Sequence, residues 1–332
     1  MSITMRRFFT VLTHVAAANM AAFGLPAAAQ SDLCSQPTIE LVVPWAAGGG
    51  TDVHARLIAQ PLSERLGKQV VVVNKAGAGG VVGTTSFVNS AKPNGCSLLM
   101  VTGATNTAAP HIFKDLKFKP LEDFAPIAFV ALAPNILYVA KNAPYRDVQE
   151  FIAKAKAAPG SMTYGSGGVG ASSHLAGALF AEKAGLQMTH VPYQGAGPSL
   201  AALMGGQVDI SVDTAAQIGH VRNGNLRALA VAADKRLTAM PDLPTFDEAG
   251  VPGLYYAFWS GIAGPKGLPQ AMIDRLNKEI NAVLAMPAIR DQFLNSGSEL
   301  KIGMAPAEFE AFWKEELARN ADIVRLANAK AD

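Results

Sequence analysis

Charge is scarce in this chain. Lys, Arg, Asp and Glu make up only 16% of its 332 residues, which excludes long solvated or disordered tracts. Excess positive charge is scarce too: the formal net charge is +2, so there is no electrostatic footprint for nucleic acid. Beyond the first residues, no apolar run approaches the roughly 20 residues that a membrane span needs. Metal-binding spacing is absent. The six histidines, His14, His54, His111, His174, His190 and His220, are dispersed with no H-x-x-x-H pair, so neither a metal nor another cofactor is expected. Cysteine is limited to Cys34 and Cys96.

What is present is apolar material and turns. Half of the residues are hydrophobic, and 31 glycines and 20 prolines punctuate them. The length suits two domains of ordinary size. Residues 1–29 read as a secretory signal. Arg6 and Arg7 precede a mostly apolar stretch, and Ala27-Ala28-Ala29 form a small-residue exit; an N-terminal membrane anchor is the alternative. Removing them takes away both arginines and no acid, which brings the net charge to zero. Secretion permits a Cys34–Cys96 disulfide. Each cysteine lies just before a strand, at 39–43 and 98–101, and parallel neighbours would bring both thiols to one sheet edge. Two buried free thiols are the alternative.

Short apolar strands alternate with helices. Strands are expected at 39–43, 70–73 and 98–101. A helix over 51–66 carries Val53, Leu57, Ile58 and Leu62 on its apolar face, and a second helix covers 81–90. The pattern restarts with strands at 136–140, 162–164, 188–191, 210–212 and 226–232. Helices at 269–284, 288–294 and 306–326 have no matching strands and are expected to pack back on the first unit. The fold class is therefore α/β. A first lobe comprises 30–133 plus 259–332, and a second comprises 134–258. Two crossings, near 133–138 and 255–263, would make a hinge and a central cleft.

In open α/β sheets the carboxyl ends of strands bind ligands. Four glycine-rich segments are placed there, at 44–52, 74–80, 165–170 and 193–198. Glycines let backbone N–H groups approach a ligand, and helix N-termini favour an anion. One such loop is only a tight turn; four at the same end of two sheets point to a cleft. Gly165-x-Gly167-x-x-Gly170 matches a dinucleotide fingerprint formally but lacks the acid about 20 residues on. No Lys completes a phosphate loop at 77–85, and no G-x-S-x-G elbow exists. A Ser172 or Ser173 nucleophile with His174 would make a secreted hydrolase, although no third residue stands at a recognisable spacing. Asp52 and Arg56, four apart, read as support for the first loop. Asp213 ends a strand in the second lobe. It either accepts from a ligand amine or hydroxyl or caps a helix near Ala215. Trp45 either walls the pocket or packs between loops.

Those loops also carry a family likeness. Pro44-x-x-x-Gly48-Gly49-x-x-Asp52-x-x-Ala55-Arg56 resembles the opening motif of the Bug, or TctC-like, receptors, extracytoplasmic binding proteins of tripartite tricarboxylate transporters. Asn74-Lys75-Ala76-Gly77-Ala78-Gly79-Gly80, Lys92-Pro93-Asn94-Gly95, Tyr164-Gly165-Ser166, Ser173-His174-Leu175-Ala176-Gly177, His190-Val191-Pro192-Tyr193-x-Gly195 and Gly205-Gly206-Gln207-Val208-Asp209 match in order. The resemblance implies a type II periplasmic-binding-protein fold whose two lobes close on a small carboxylate (a dicarboxylate, amino acid or aromatic acid). It implies delivery to membrane subunits of the transporter and no catalysis. An accessory role in a sensor system would use the same closed shape. A monomer is expected. By position, Ala47, Gly48, Gly49, Ala78 and Gly79 would cradle the carboxylate. Thr102 and Thr105 would line the third strand end. Ser166, His174, Tyr193 and Asp213 would face the ligand from the second lobe. The chain departs from the family pattern at Ala171, where a hydroxyl is common.

Overall fold

A computed structural model describes residues 33–330; the expected signal sequence lies outside them. The first three strands, β1 (Thr38–Val43), β2 (Gln69–Asn74) and β3 (Ser97–Thr102), are parallel, with β1 in the middle. Helices α1 (Gly50–Leu66) and α2 (Val81–Ser90) connect them. Burial explains the choice of strand: Ile39, Leu41, Val43, Leu98 and Met100 are wholly enclosed in one core. In α1 the buried face holds His54, Ala55, Ile58, Ala59, Leu62 and Leu66, whereas Val53 is exposed. The apolar face is thus turned by about one residue from the expected one. His54 enters the core because each ring nitrogen finds a hydroxyl, Ser260 at 2.9 Å and Ser298 at 3.2 Å. Burial pushes its pKa down to about 4, so it stays neutral. Gly67, left-handed at φ 64°, returns its N–H to Ser63 and ends the helix.

Cys34 and Cys96 form a disulfide. It ties the approach to β1 to the approach to β3, the parallel neighbours.

After a wide helical turn at Ala104–Ala108 and the short α3 (Ala109–Ile112) comes β4 (Phe124–Ala140). It starts twelve residues before the expected strand and runs straight through Pro134. Pro134 is tolerated because the ladder changes hands there. Up to Pro134, β4 pairs with β9 (Ala257–Pro265); from Asn135 it pairs with β7 (Ser211–Thr214) and β8 (Leu226–Val231). A residue with no N–H fits such a switch. Pro126 likewise sits at a register shift. The sheet is therefore mixed, in the order β10-β4-β9-β3-β1-β2, with β10 at Glu299–Leu300.

The segment beyond β4 holds α4 (Val148–Ala157), β5 (Met162–Ser166), α5 (Ser172–Ala184), β6 (Met188–Pro192), α6 (Ala196–Met204) and α7 (Ile218–Arg222). Strands β5 and β6 are parallel. A second core forms here from Leu137, Val139, Phe151, Phe180, Val212 and Phe246. The two cores define a two-lobed fold joined along β4 and, on the return, between Tyr256 and Trp259. The C-terminal helices are α8 (Gln270–Leu284), α9 (Pro287–Asn295) and α10 (Pro306–Leu326). Leu276, Ile280 and Phe293 join the first core. Helix α10 does not stay there. Its Phe309 and Trp313 pack with Trp259 and Phe129, while its Ile323 and Val324 enter the second core. At 21 residues it is long enough, roughly 30 Å, to reach both. No helix among the described residues is long and apolar enough to cross a membrane.

Candidate functional site

Three loops meet around a cleft of about 380 Å³. The β1–α1 loop brings residues 45–51, the β5–α5 loop brings Gly167 and Ala171–Ser173, and the β6–α6 loop brings residues 194–198. Asp213, Thr214 and Gln217 come from the end of β7 and the turn after it, Ala104 from the turn after β3, and Phe258 from β9. Helices α1, α5 and α6, of 17, 13 and 9 residues, all start at this cleft, and none has a side-chain cap. Their first internal bonds run to the carbonyls of Gly49, Ala171 and Gly195. The leading N–H groups of these helices, before His174 in α5 and at Ala196 and Gly197 in α6, therefore have no partner inside their own helices. Ala171 contributes directly: methyl-bearing, it stands at the N-cap of α5, where a hydroxyl would have taken one of those bonds.

The first loop is held rigidly. Asp52 Oδ2 accepts from the Gly48 N–H at 2.8 Å and from Arg56 Nε at 2.9 Å, and its Oδ1 accepts from Asn74 Nδ2 at 2.9 Å. The same Asn74 amide donates to the Trp45 carbonyl. Burial pushes the Asp52 carboxyl up; the hydrogen bonds from Arg56, Gly48 and Asn74 outweigh it and hold the group below its ordinary value. Asp52 and Arg56 are scaffold, not lining.

Of the residues expected to contact a ligand, Trp45, Ala47, Gly48, Gly49 and Asp213 line the cleft. The others lie outside the lining. Ala78 and Gly79 belong to the β2–α2 loop, which packs behind Trp45 and touches the β5–α5 loop, where a Cβ on Gly79 would stand 3.3 Å from the Val169 carbonyl oxygen. Thr102 and Thr105 are fully buried and bond each other, and Thr105 Oγ1 also donates to the Gly79 carbonyl at 3.2 Å. Ser166 Oγ is 2.6 Å from His190 Nε2, at the base of the β5–α5 loop. His174 Nδ1 accepts from the Gly170 N–H at 3.1 Å, and its ring stacks on His190 at 3.8 Å between centroids. Burial lowers both imidazoles, to about 3 for His174 and about 4 for His190. Tyr193 is half buried and packs beside the core around Leu200 and Leu203. Ser172 Oγ pairs with Asn135, and Ser173 Oγ accepts from Gly167. Neither hydroxyl reaches His174, so the Ser172/Ser173–His174 dyad is not assembled.

Asp213 accepts from the N–H of Thr214 through Oδ1 at 2.7 Å and caps no helix. Its Oδ2 has no partner among the described residues. Burial pushes its carboxyl up to about 6, against a smaller lowering by the Thr214 N–H. Residues the sequence did not single out are Phe258, Ala104, Thr214 and Gln217. Phe258 lies within the run at 255–263 where a crossing was expected, but nothing in that run marks which of its residues faces the cleft.

The model for the tripartite tricarboxylate transporter family receptor, TctC, matches residues 54–328. The chain belongs to this receptor family. The TctC match is joined by a 34% identity to the protein BugT of Bordetella pertussis, over 94% of this chain and 95% of the relative. Among solved structures, the periplasmic binding protein BugD is 33% identical at a TM-score of 0.82, covering 89% of this chain and 99% of that one. MatC from Rhodopseudomonas palustris, solved with malate, is 32% identical at 0.81, covering 86% and 98%. A further R. palustris protein, solved with adipate, is 31% identical at 0.84, covering 88% and 98%. TctC proteins are solute receptors, not enzymes, so the hydrolase alternative falls away.

Proposed function

We propose that this TctC-family protein is a periplasmic receptor that captures a small carboxylate between its lobes and hands it to the membrane subunits of a tripartite tricarboxylate-type transporter. One observation carries this: three helices open onto a single cleft with uncapped N-termini, and no Lys, Arg or His is among the described residues lining it. Such a cleft attracts an anion through backbone N–H groups and helix dipoles. Relatives solved with malate and adipate support a carboxylate as that anion. Trp45, Ala47, Gly48, Gly49 and Asp213 are the proposed contacts, with Trp45 and Phe258 as the apolar walls. The lobes are proposed as 30–133 plus 259–332 and 134–258, with the C-terminal end of α10 crossing onto the second. A secretory signal at 1–29, a periplasmic location and a monomeric state complete the proposal.

Gly49→Asp tests it. Gly49 is the N-cap of α1 in an extended conformation that any residue adopts, and a Cβ there meets only the Ala46 carbonyl oxygen at 3.5 Å. The new carboxylate would cap α1, worth only about a few tenths of a kcal/mol over the glycine already there, and would occupy the anion site itself. The expected result is an unchanged or raised melting temperature together with loss of the thermal shift given by carboxylates. Undiminished carboxylate binding in this variant would remove the α1 N-terminus from the site.

A further inference from the structure

The polar lining of the cleft is unbalanced. Donors converge from three helix starts, but the one ionisable side chain among the described lining residues is Asp213. It is 4% exposed. One carboxylate oxygen takes the Thr214 N–H, and the other has no protein partner. The neighbouring elements supply none. On β4, Ile136 stands opposite Asp213, and the Tyr138 phenol donates to the Thr214 carbonyl. On α5, Ser172 is committed to Asn135, Ser173 accepts from Gly167, and the His174 ring accepts from Gly170. His174 is held neutral by burial and by the neighbouring His190. Burial raises the Asp213 carboxyl only to about 6, so at neutral pH it is mostly ionised. A buried carboxylate with a free oxygen and no counter-charge is costly and calls for an explanation beyond packing.

A ligand with a donor removes the imbalance. Its carboxylate would meet the helix amides, and a positively charged donor would meet Asp213 in a charge-assisted hydrogen bond, about twice as strong as a neutral one. We infer that the cleft selects a small carboxylate that also carries a protonated amine, an amino-acid-like zwitterion, with Asp213 as the specificity-determining residue. This rests on the carboxylate-receptor proposal above and narrows it. It separates this protein from a receptor for bare diacids, because a second carboxylate placed beside Asp213 would meet a like charge.

The test is titration calorimetry on the secreted protein, stripped of bound ligand, with two matched series. Succinate, malate and aspartate differ only in hydrogen, hydroxyl or ammonium at one carbon, as do 3-phenylpropionate, 3-phenyllactate and phenylalanine. In whichever series binds, the amine should bind about tenfold or more tighter than the bare acid, with the hydroxy acid between. In Asp213→Asn, whose amide keeps an acceptor but loses the charge, the amine should fall to within about twofold of the hydroxy acid. A bare acid binding wild type as tightly as its amine, or an amine preference that survives in Asp213→Asn, overturns the inference and leaves the carboxylate receptor standing. No binding by any of the six overturns both. The wild-type ranking decides by itself if the variant fails to fold.

Discussion

Asp213 and Asp52 show how neighbours decide what one residue type does. Both are almost wholly buried. Asp52 has hydrogen bonds on both oxygens, sits below its ordinary pKa and holds a loop in place. Asp213 has one bond, sits above its ordinary 3.8 at about 6 and lines a cleft. The sign of its effect on stability follows. Between those two pKa values the folded protein holds a proton that the unfolded chain has released. The contribution therefore falls as pH rises through this window, and the full cost is present at neutral pH. Asp213→Asn should accordingly stabilise the ligand-free protein by up to about 3 kcal/mol near pH 7 and by little near pH 4. Melting curves of the two proteins across that range check this. A gap that widens toward acid would contradict the buried-carboxylate account.

At the scale of elements, the close approach of helix to strand is what shapes the cleft wall. Helix α2 lies so near the exit of β2 that a Cβ on Gly83 would overlap the Lys75 carbonyl oxygen and stand 2.8 Å from Pro44 Cα. In an exposed helix a Gly→Ala change stabilises by about 0.5–1 kcal/mol. Here the sign should reverse: Gly83→Ala is expected to destabilise by about 1–3 kcal/mol, since the obstacle is backbone and cannot rotate away. Pro44 precedes Trp45, so the same change should shift the first loop and weaken ligand binding. Urea denaturation and a binding titration on one preparation separate the two effects. In the core that also holds Phe87 of α2, Trp259, Trp313, Phe309 and Phe129 form edge-on, tilted and stacked pairs with centroids 5.7–6.4 Å apart. Each such pair adds roughly 0.5–1.5 kcal/mol beyond burial, and together they pin the start of α10 to β4 and β9.

For the molecule as a whole, the connections between the lobes and the disulfide act on different things. β4 passes unbroken from one core to the other, and α10 lies across both, so relative motion of the lobes must bend these elements instead of a slack linker. The Cys34–Cys96 bridge lies entirely beside the first sheet and closes a loop of 62 residues in sequence separation. It constrains the unfolded chain, by about 2–4 kcal/mol. Replacing both cysteines with serine should lower the unfolding free energy read from urea denaturation by that amount while leaving carboxylate affinity within about twofold, because neither cysteine lines the cleft. A large loss of affinity would show that the bridge shapes the binding face.

The sequence alone determined what depends on near neighbours. The β1–α1–β2–α2–β3 alternation, the helix end at Gly67 and the glycine-rich strand-to-helix loops are local patterns of burial and backbone freedom, legible in runs of ten or twenty residues. The pairing of Cys34 with Cys96 was half legible, because it needed only that two strands be parallel neighbours. Tertiary structure decided the rest. That β4 continues through Pro134 depends on a change of partner strand, which no local rule contains. That α10 spans both cores depends on where the second core's surface lies. The second glycine loop has the same local chemistry as the first, yet it packs against Thr105 and Val169 and leaves the cleft to the loops of α1, α5 and α6. Which loops share a cavity is set by strand order and by long-range crossings. Those are contacts between residues far apart in the chain, and their energies are absent from any short window of sequence.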